Sequence, residues 1–387
     1  MQRALRDWRV WALTLTIQGP GARAIVRYAP SPALILPIVF VAAFVIYGAS
    51  LHGPLASWIR RLGSRLGLVA AAVCVIAALN VIVYPRADAL KQQARGSDED
   101  NALIDLAGRL ARGQRPLYVA TYLGNAPSPG PGWAALVAPL AVTGTYALLT
   151  PLALGILVWI VGRAGGGARG TATALLLPLT SPGFWELSVT GSDLFAIGVL
   201  FVGLTFMAWS SRRTSLGTSA VLLILVLAAA SSRVVFALVP LCVSLFMWRK
   251  NRAGFTLVAA AAVVVIGFEF WSWWPDSAGV TPLYLISKLV RQLGAPGIAV
   301  VVLVTMASAA LALVQLDEHI DSWWRGLWVL LAAPLVTVSF GVLAALGWDV
   351  AAWQAAGYVE VAVPAAVACA AITAARQAGT TLPARTT

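Results

Sequence analysis

Apolar runs about as long as a bilayer requires recur from one end of this chain to the other, and nothing else in it limits the fold so strongly. A helix needs about 20 apolar residues to cross the hydrocarbon core. Runs of that kind are read at 33 to 51, 66 to 84, 133 to 162, 170 to 184, 192 to 209, 216 to 232, 233 to 248, 254 to 271, 296 to 315, 326 to 347 and 358 to 374. Composition agrees: 60% of the 387 residues are hydrophobic and only 11% are charged, whereas roughly a quarter of a soluble domain is charged. The expected fold is all-α, a polytopic integral membrane protein with about ten or eleven transmembrane helices.

Two runs resist assignment to single straight spans. The segment 133 to 162 is too long for one, and 216 to 248 carries Ser231, Ser232 and Arg233 at its middle. Broken helices are expected at both, because interrupted backbone is tolerated in a membrane where protein or a water-filled cavity covers it.

The formal charge of +12 sits in arginine-rich connections. It is read as topology and contact with membrane lipids, not as nucleic-acid binding. Arg60, Arg61 and Arg65, Arg163 and Arg169, Arg212 and Arg213, Arg249, Lys250 and Arg252, and Arg376 and Arg385 form one consistent cytoplasmic set. That places 85 to 132, 185 to 191, the break at 231 to 233 and the loop at 272 to 295 on the outer face. The chain then divides into a basic N-terminal tail (1–32), first membrane segments (33–84), an outer loop (85–132), a multi-span domain (133–374) and a C-terminal tail (375–387). Cys74, Cys242 and Cys369 all lie in apolar runs, so no disulfide or metal framework is expected.

The outer loop holds the densest acidic cluster of the chain, Asp98, Glu99 and Asp100. Ser97 followed by Asp100 has capping-box spacing, and acids complement a helix dipole, so a helix start accounts for the cluster without catalysis. Leu103, Leu106, Ala107 and Leu110 follow at i, i+3, i+4 and i+7, which predicts an amphipathic juxtamembrane helix ended by Gly113. The stretch TYLGNAPSPGPG beyond it is rich in turn formers.

In the order of these parts the chain resembles the GT-C superfamily of membrane glycosyltransferases, which take a sugar from a polyprenyl-phosphate carrier. The parts are a span, an outer loop opening with an acidic motif, a juxtamembrane helix ending at Gly113 before Pro116 and Tyr118, and many further spans. The phrase TGSDLFAIG at Thr190 to Gly198 is also similar to a segment of such enzymes, and the layout is most like the bacterial mannosyltransferase-type branch.

The resemblance implies an inverting transfer of a hexose such as mannose to a lipid-linked or cell-envelope glycan, on the outer face of a bacterial inner membrane. An outer-loop Asp would take the acceptor's proton and cations would meet the departing phosphate. Asp100 is the first candidate for the base and Asp98 the second, with Glu99 orienting the acceptor. Arg233, Lys288 and Arg291 are the candidate phosphate contacts, and Tyr118, Tyr122, Asp193 and Glu186 candidate substrate contacts, with Trp133 a further ring. The interfacial aromatic belt accounts for the tyrosines and Trp133, helix capping for Asp193 and a solvated loop for Lys288 and Arg291, without any ligand. No cofactor is implied, and metal dependence is left open. Two other classes fit the same sequence: a transporter or flippase for a lipid or amphipathic solute, and a non-catalytic subunit of an envelope-assembly complex. Essential charges near the bilayer midplane favour transport; acids at the outer interface favour the enzyme.

Overall fold

A computed structural model of the chain describes residues 7–52, 55–89, 98–115, 117–211, 216–248, 251–273, 284–347 and 354–377. Ser97, Pro116, Arg212, Arg213, Arg249, Lys250 and Arg385 lie outside them. The secondary structure of the described residues is helical, joined by turns and irregular stretches, with no strand among them. In chain order the helices are α1 Trp8–Tyr28, α2 Pro32–His52, α3 Leu55–Gly63, α4 Leu66–Ala89, α5 Glu99–Ala111, α6 Pro131–Val142, α7 Leu149–Val161, α8 Gly167–Leu179 and α9 Pro182–Val189. There follow α10 Leu194–Ser210, α11 Leu216–Ala230, α12 Leu238–Met247, α13 Arg252–Trp273, α14 Tyr284–Val314, α15 Ile320–Leu346, the short α16 Gln354–Gly357 and α17 Val363–Gln377.

Among the described residues, six helices are long and apolar enough to cross a membrane: Pro32–Leu51, Leu66–Ala89, Tyr146–Leu179, Leu285–Val314, Ile320–Leu346 and Ala355–Arg376. The bent pair of α9 and α10, meeting at 107°, makes a seventh if it is one span. Four shorter apolar helices, Pro131–Val142, Gly217–Ala230, Val234–Met247 and Arg252–Phe268, complete the set. The protein is therefore an all-helical polytopic membrane protein, and the finer count of ten or eleven spans is reached only if the short helices cross too.

Both expected breaks are present. The run from 133 is interrupted between α6 and a 3-10 turn at Tyr146–Leu148, and the run from 216 between α11 and a 3-10 turn at Val234–Phe236. Gly130 donates its amide to the Ser231 carbonyl (2.6 Å) and Trp133 donates its amide to Ser231 Oγ (2.8 Å). The second break is thus covered by protein, as unpaired backbone in a membrane requires.

Two expectations need correction. Most of the expected 1–32 tail is a helix: α1, Trp8–Tyr28, buries Val10, Leu13, Ile17 and Ile25 together with Arg23 and packs on α2 and α9. Its apolar positions recur at helical spacing, and Asp7 caps it by accepting from the Arg9 amide at 3.0 Å. A basic composition hid an amphipathic helix. The 272 to 295 segment is not all loop either, since α14 begins at Tyr284 and carries Lys288 and Arg291 before a kink at Gly294, where φ is 65°.

Contact between α1 and α9 is backbone to backbone. A Cβ on Gly183 would lie 2.6 Å from the Gly21 amide nitrogen and 2.7 Å from Pro20 Cβ. This approach carries Arg23 to the side of Glu186 on α9.

Candidate functional site

α5 forms as its pattern requires, with Leu103, Leu106 and Ala107 all buried and Asp105 exposed. It packs against α6, which fixes its first turn, and Gly113 beyond its end adopts a φ of 62°. The three acids at its start take three different environments.

Asp98 occupies the N-cap position but makes no capping bond with its side chain. Its Oδ2 instead accepts from the Thr121 hydroxyl at 2.5 Å and from Asn125 Nδ2 at 2.8 Å. Those partners belong to one turn, closed by Thr121 and Gly124 amides donating to the Asn125 and Thr121 carbonyls at 2.9 and 2.8 Å. Asp98 is half-buried, and among the described residues no hydrogen bond reaches its Oδ1. The acid is oriented through one oxygen, leaving the other to meet a ligand.

Asp100 is 0% exposed. Its Oδ2 accepts from the Tyr84 hydroxyl at 2.6 Å and its Oδ1 from the Asn101 amide at 2.8 Å. The turn at Gly191 closes over it: a Cβ there would sit 2.7 Å from Asp100 Cβ and 2.8 Å from Tyr84 Cε2, and the φ of 76° is one that glycine adopts readily. The first candidate for the base is therefore sealed off from an acceptor. Gly191→Ala is expected to cost roughly 1–3 kcal/mol of stability through strain and overpacking. A thermal-unfolding comparison checks this, and an unchanged midpoint contradicts the packing described.

Glu99 faces the opposite side, 3.7 Å from Arg23 Nη1. Arg23 also reaches Glu186 at 3.5 Å, and Arg27 lies 3.8 Å from the same carboxylate. Burial opposes the Arg23 charge, but Glu186 and Glu99 more than offset it and hold the guanidinium above its ordinary range. A groove of about 580 Å³ adjoins this network, lined by Tyr28, Trp185, Glu186 and Thr190 among apolar neighbours. Tyr28 and Trp185 give it aromatic walls, and Arg27 is stacked 5.4 Å from the Tyr28 ring centroid.

Asp193 and Arg233 form a buried pair, 0% and 2% exposed. Arg233 Nη2 donates to Oδ1 at 2.5 Å and Nη1 to Oδ2 at 3.1 Å, while Trp133 Nε1 donates to Oδ2 at 2.6 Å. Three candidates therefore lie elsewhere than expected: the Arg233 guanidinium is buried and turned to Asp193, Asp193 makes no side-chain cap to α10, and Trp133 is buried with its indole donating to Asp193. Together they pin the 231–233 break to the turn that covers Asp100.

Of the remaining candidates, Tyr118 is buried in the core while Tyr122 is 45% exposed at the tip of the Thr121–Asn125 turn. Lys288 and Arg291 lie on α14, which packs mainly on α15. Asp321, beside His319, pairs with Arg325 at 3.2 Å and Arg376 at 2.8 Å, a role in holding α15 to α17. Among the described residues no group of three or more metal-ligating side chains forms.

Sequence reasoning missed Tyr84, Arg23, Arg27, Thr121 and Asn125, and it missed Glu360. Glu360 is 0% exposed, and among the described residues neither of its oxygens has a hydrogen-bond partner. It stands close in chain to Tyr358 in the 3-10 turn before α17. A lone acid in an apolar run was its visible signal. The interior near it is polar elsewhere too, with Gln18 Nε2 donating to the Tyr47 hydroxyl at 2.7 Å and that hydroxyl 2.6 Å from Thr180 Oγ1.

No family model, no curated protein and no solved structure matches this chain. What the fold and site define is a class: a polytopic α-helical membrane protein in which a helix opening with three acids lies near a groove lined by Tyr28, Trp185 and Glu186.

Proposed function

We propose that the protein is a GT-C-type glycosyltransferase, with Asp98 rather than Asp100 as the general base. The observation that carries this reading is the asymmetry of the two carboxylates. Asp98 is held through Oδ2 by Thr121 and Asn125, whereas both oxygens of Asp100 are engaged and the residue is sealed. A base needs a lone pair within hydrogen-bond reach of the acceptor hydroxyl.

In the proposed step the acceptor oxygen bonds to the anomeric carbon as its proton passes to Asp98. The bond from that carbon to the phosphate oxygen breaks, and the lipid phosphate leaves with the electron pair. Arg27, whose side chain is 24% exposed, is the better-placed cation for the departing phosphate than Arg233, which Asp193 already neutralises. Asp100 then acts as a positioning residue, fixing α5 to Tyr84 on α4. The substrates would be a polyprenyl-phosphate hexose and a glycan or glycolipid acceptor.

The test is transfer of labelled hexose from a synthetic polyprenyl-phosphate donor in membranes carrying the wild type or Asp98→Asn at equal protein levels. Transfer above the empty-vector background that disappears with the substitution supports the reading. Transfer indifferent to the substitution removes Asp98 as base.

A transporter reading keeps one specific observation in its favour: Glu360, buried within the Ala355–Arg376 span, has no hydrogen-bond partner among the described residues. Acids in such positions serve ion-coupled carriers.

A further inference from the structure

At the other end of α4 from the acidic motif lies a different kind of surface. α3 packs on α8 so closely that Gly63 abuts the Ala168 backbone. That contact brings two sequence-distant basic segments to one end: Arg60, Arg61 and Arg65, and Arg163 with Arg169. Arg60, Arg61, Arg65 and Arg163 are exposed, and among the described residues none is ion-paired with a carboxylate. Arg169 is 7% exposed, with Nη2 donating to the Ser50 and Leu51 carbonyls at 2.7 and 3.0 Å and Nε without a partner. α8 has no acid in its first turn to offset the positive end of its dipole.

Around this cluster the surface is apolar and aromatic. Trp58 on α3 is 56% exposed and Leu66 at the start of α4 is 70% exposed. Five guanidinium groups without a counter-carboxylate, bordered by a tryptophan and a lipid-facing span, match a ligand with an anionic head and apolar tails.

We infer that the α3–α8 junction is a binding site for the head group of an anionic phospholipid. The exposed arginines supply the charge, with Trp58 at the level of the head groups and the tails along α4. Along α4, 18 residues run from Leu66 beside this site to Tyr84, which holds Asp100, about 27 Å at helical rise. The site is therefore independent of the proposed catalysis.

The test uses the purified full chain in a neutral detergent, titrated with phosphatidylglycerol or phosphatidylcholine, with retained lipid read by native mass spectrometry. Phosphatidylglycerol is expected to bind at least about tenfold more tightly. Each arginine near such a surface contributes about fivefold, so Arg60→Gln/Arg61→Gln/Arg65→Gln should weaken retention on the order of a hundredfold. The charge-matched Arg109→Gln/Arg112→Gln/Arg115→Gln should leave it within about twofold. If the triple variant at the junction fails to fold, Arg163→Gln alone should still show a loss of about fivefold. Equal loss in both triple variants, equal binding of phosphatidylcholine, or displacement by millimolar inorganic phosphate would each overturn the site. The first outcome means net charge alone acts, the second a general lipid surface, and the third a site for soluble anions.

Discussion

Asp98→Asn is expected to lower hexose transfer by about 10²- to 10⁴-fold, the usual contribution of a general base, with little change in the amount of folded protein. The carboxamide keeps its size and can still accept from Thr121 and Asn125 through its oxygen, so the turn that now binds Oδ2 has no reason to open. Asp100→Asn should behave differently. It turns a buried acceptor of the Tyr84 and Asn101 hydrogen bonds into a group with two donors in a sealed site, and unmatched buried donors cost roughly 1–3 kcal/mol. Its signature is a lower unfolding midpoint with a loss of activity no greater than the loss of folded enzyme. Rates normalised to folded protein separate the two. If Asp100→Asn abolishes turnover without destabilisation while Asp98→Asn retains it, the assignment of base and positioning residue is reversed.

The second large effect is on stability. Arg233→Leu or Asp193→Leu alone leaves a buried charge without its partner, which typically costs 3–5 kcal/mol, or roughly 4 kcal/mol for a pair as enclosed as this one. Asp193→Leu also removes the acceptor of the Trp133 indole, so it should be the more damaging of the two. The double variant Asp193→Leu/Arg233→Leu should recover much of the loss, because removing both charges removes the desolvation they impose on each other. A double-mutant cycle by thermal unfolding in detergent measures the coupling. Additive losses would show that the bidentate geometry carries no coupling energy, contrary to the packing described.

What could be read from the sequence was local. The stripe of Leu103, Leu106 and Ala107 announces α5, and Gly113 its end, because helical period and glycine conformation act within a few residues. The Ser231–Ser232–Arg233 interruption announces a break in the same way. The roles of the charged residues were not legible, since their partners lie far along the chain. Arg233 finds Asp193 across 40 residues, and Asp98 finds Asn125 across 27. Arg23 reads as one more basic residue of a tail until α1 docks on α9 through Gly21 and Gly183. The different surroundings of Asp100 and Asp98 were not legible for the same reason: spacing shows which acids share a helix turn, while only the folded chain shows that Asp100 is sealed and Asp98 half-buried.

The most direct measurement takes the purified chain in liposomes with a labelled polyprenyl-phosphate hexose and a glycolipid acceptor. It follows both the label in the acceptor and the release of free lipid phosphate. A glycosyltransferase is expected to move label into the acceptor and free one lipid phosphate for each sugar transferred, and Asp98→Asn to stop both. Donor that stays intact while it redistributes between the leaflets would contradict the account and make the protein a carrier.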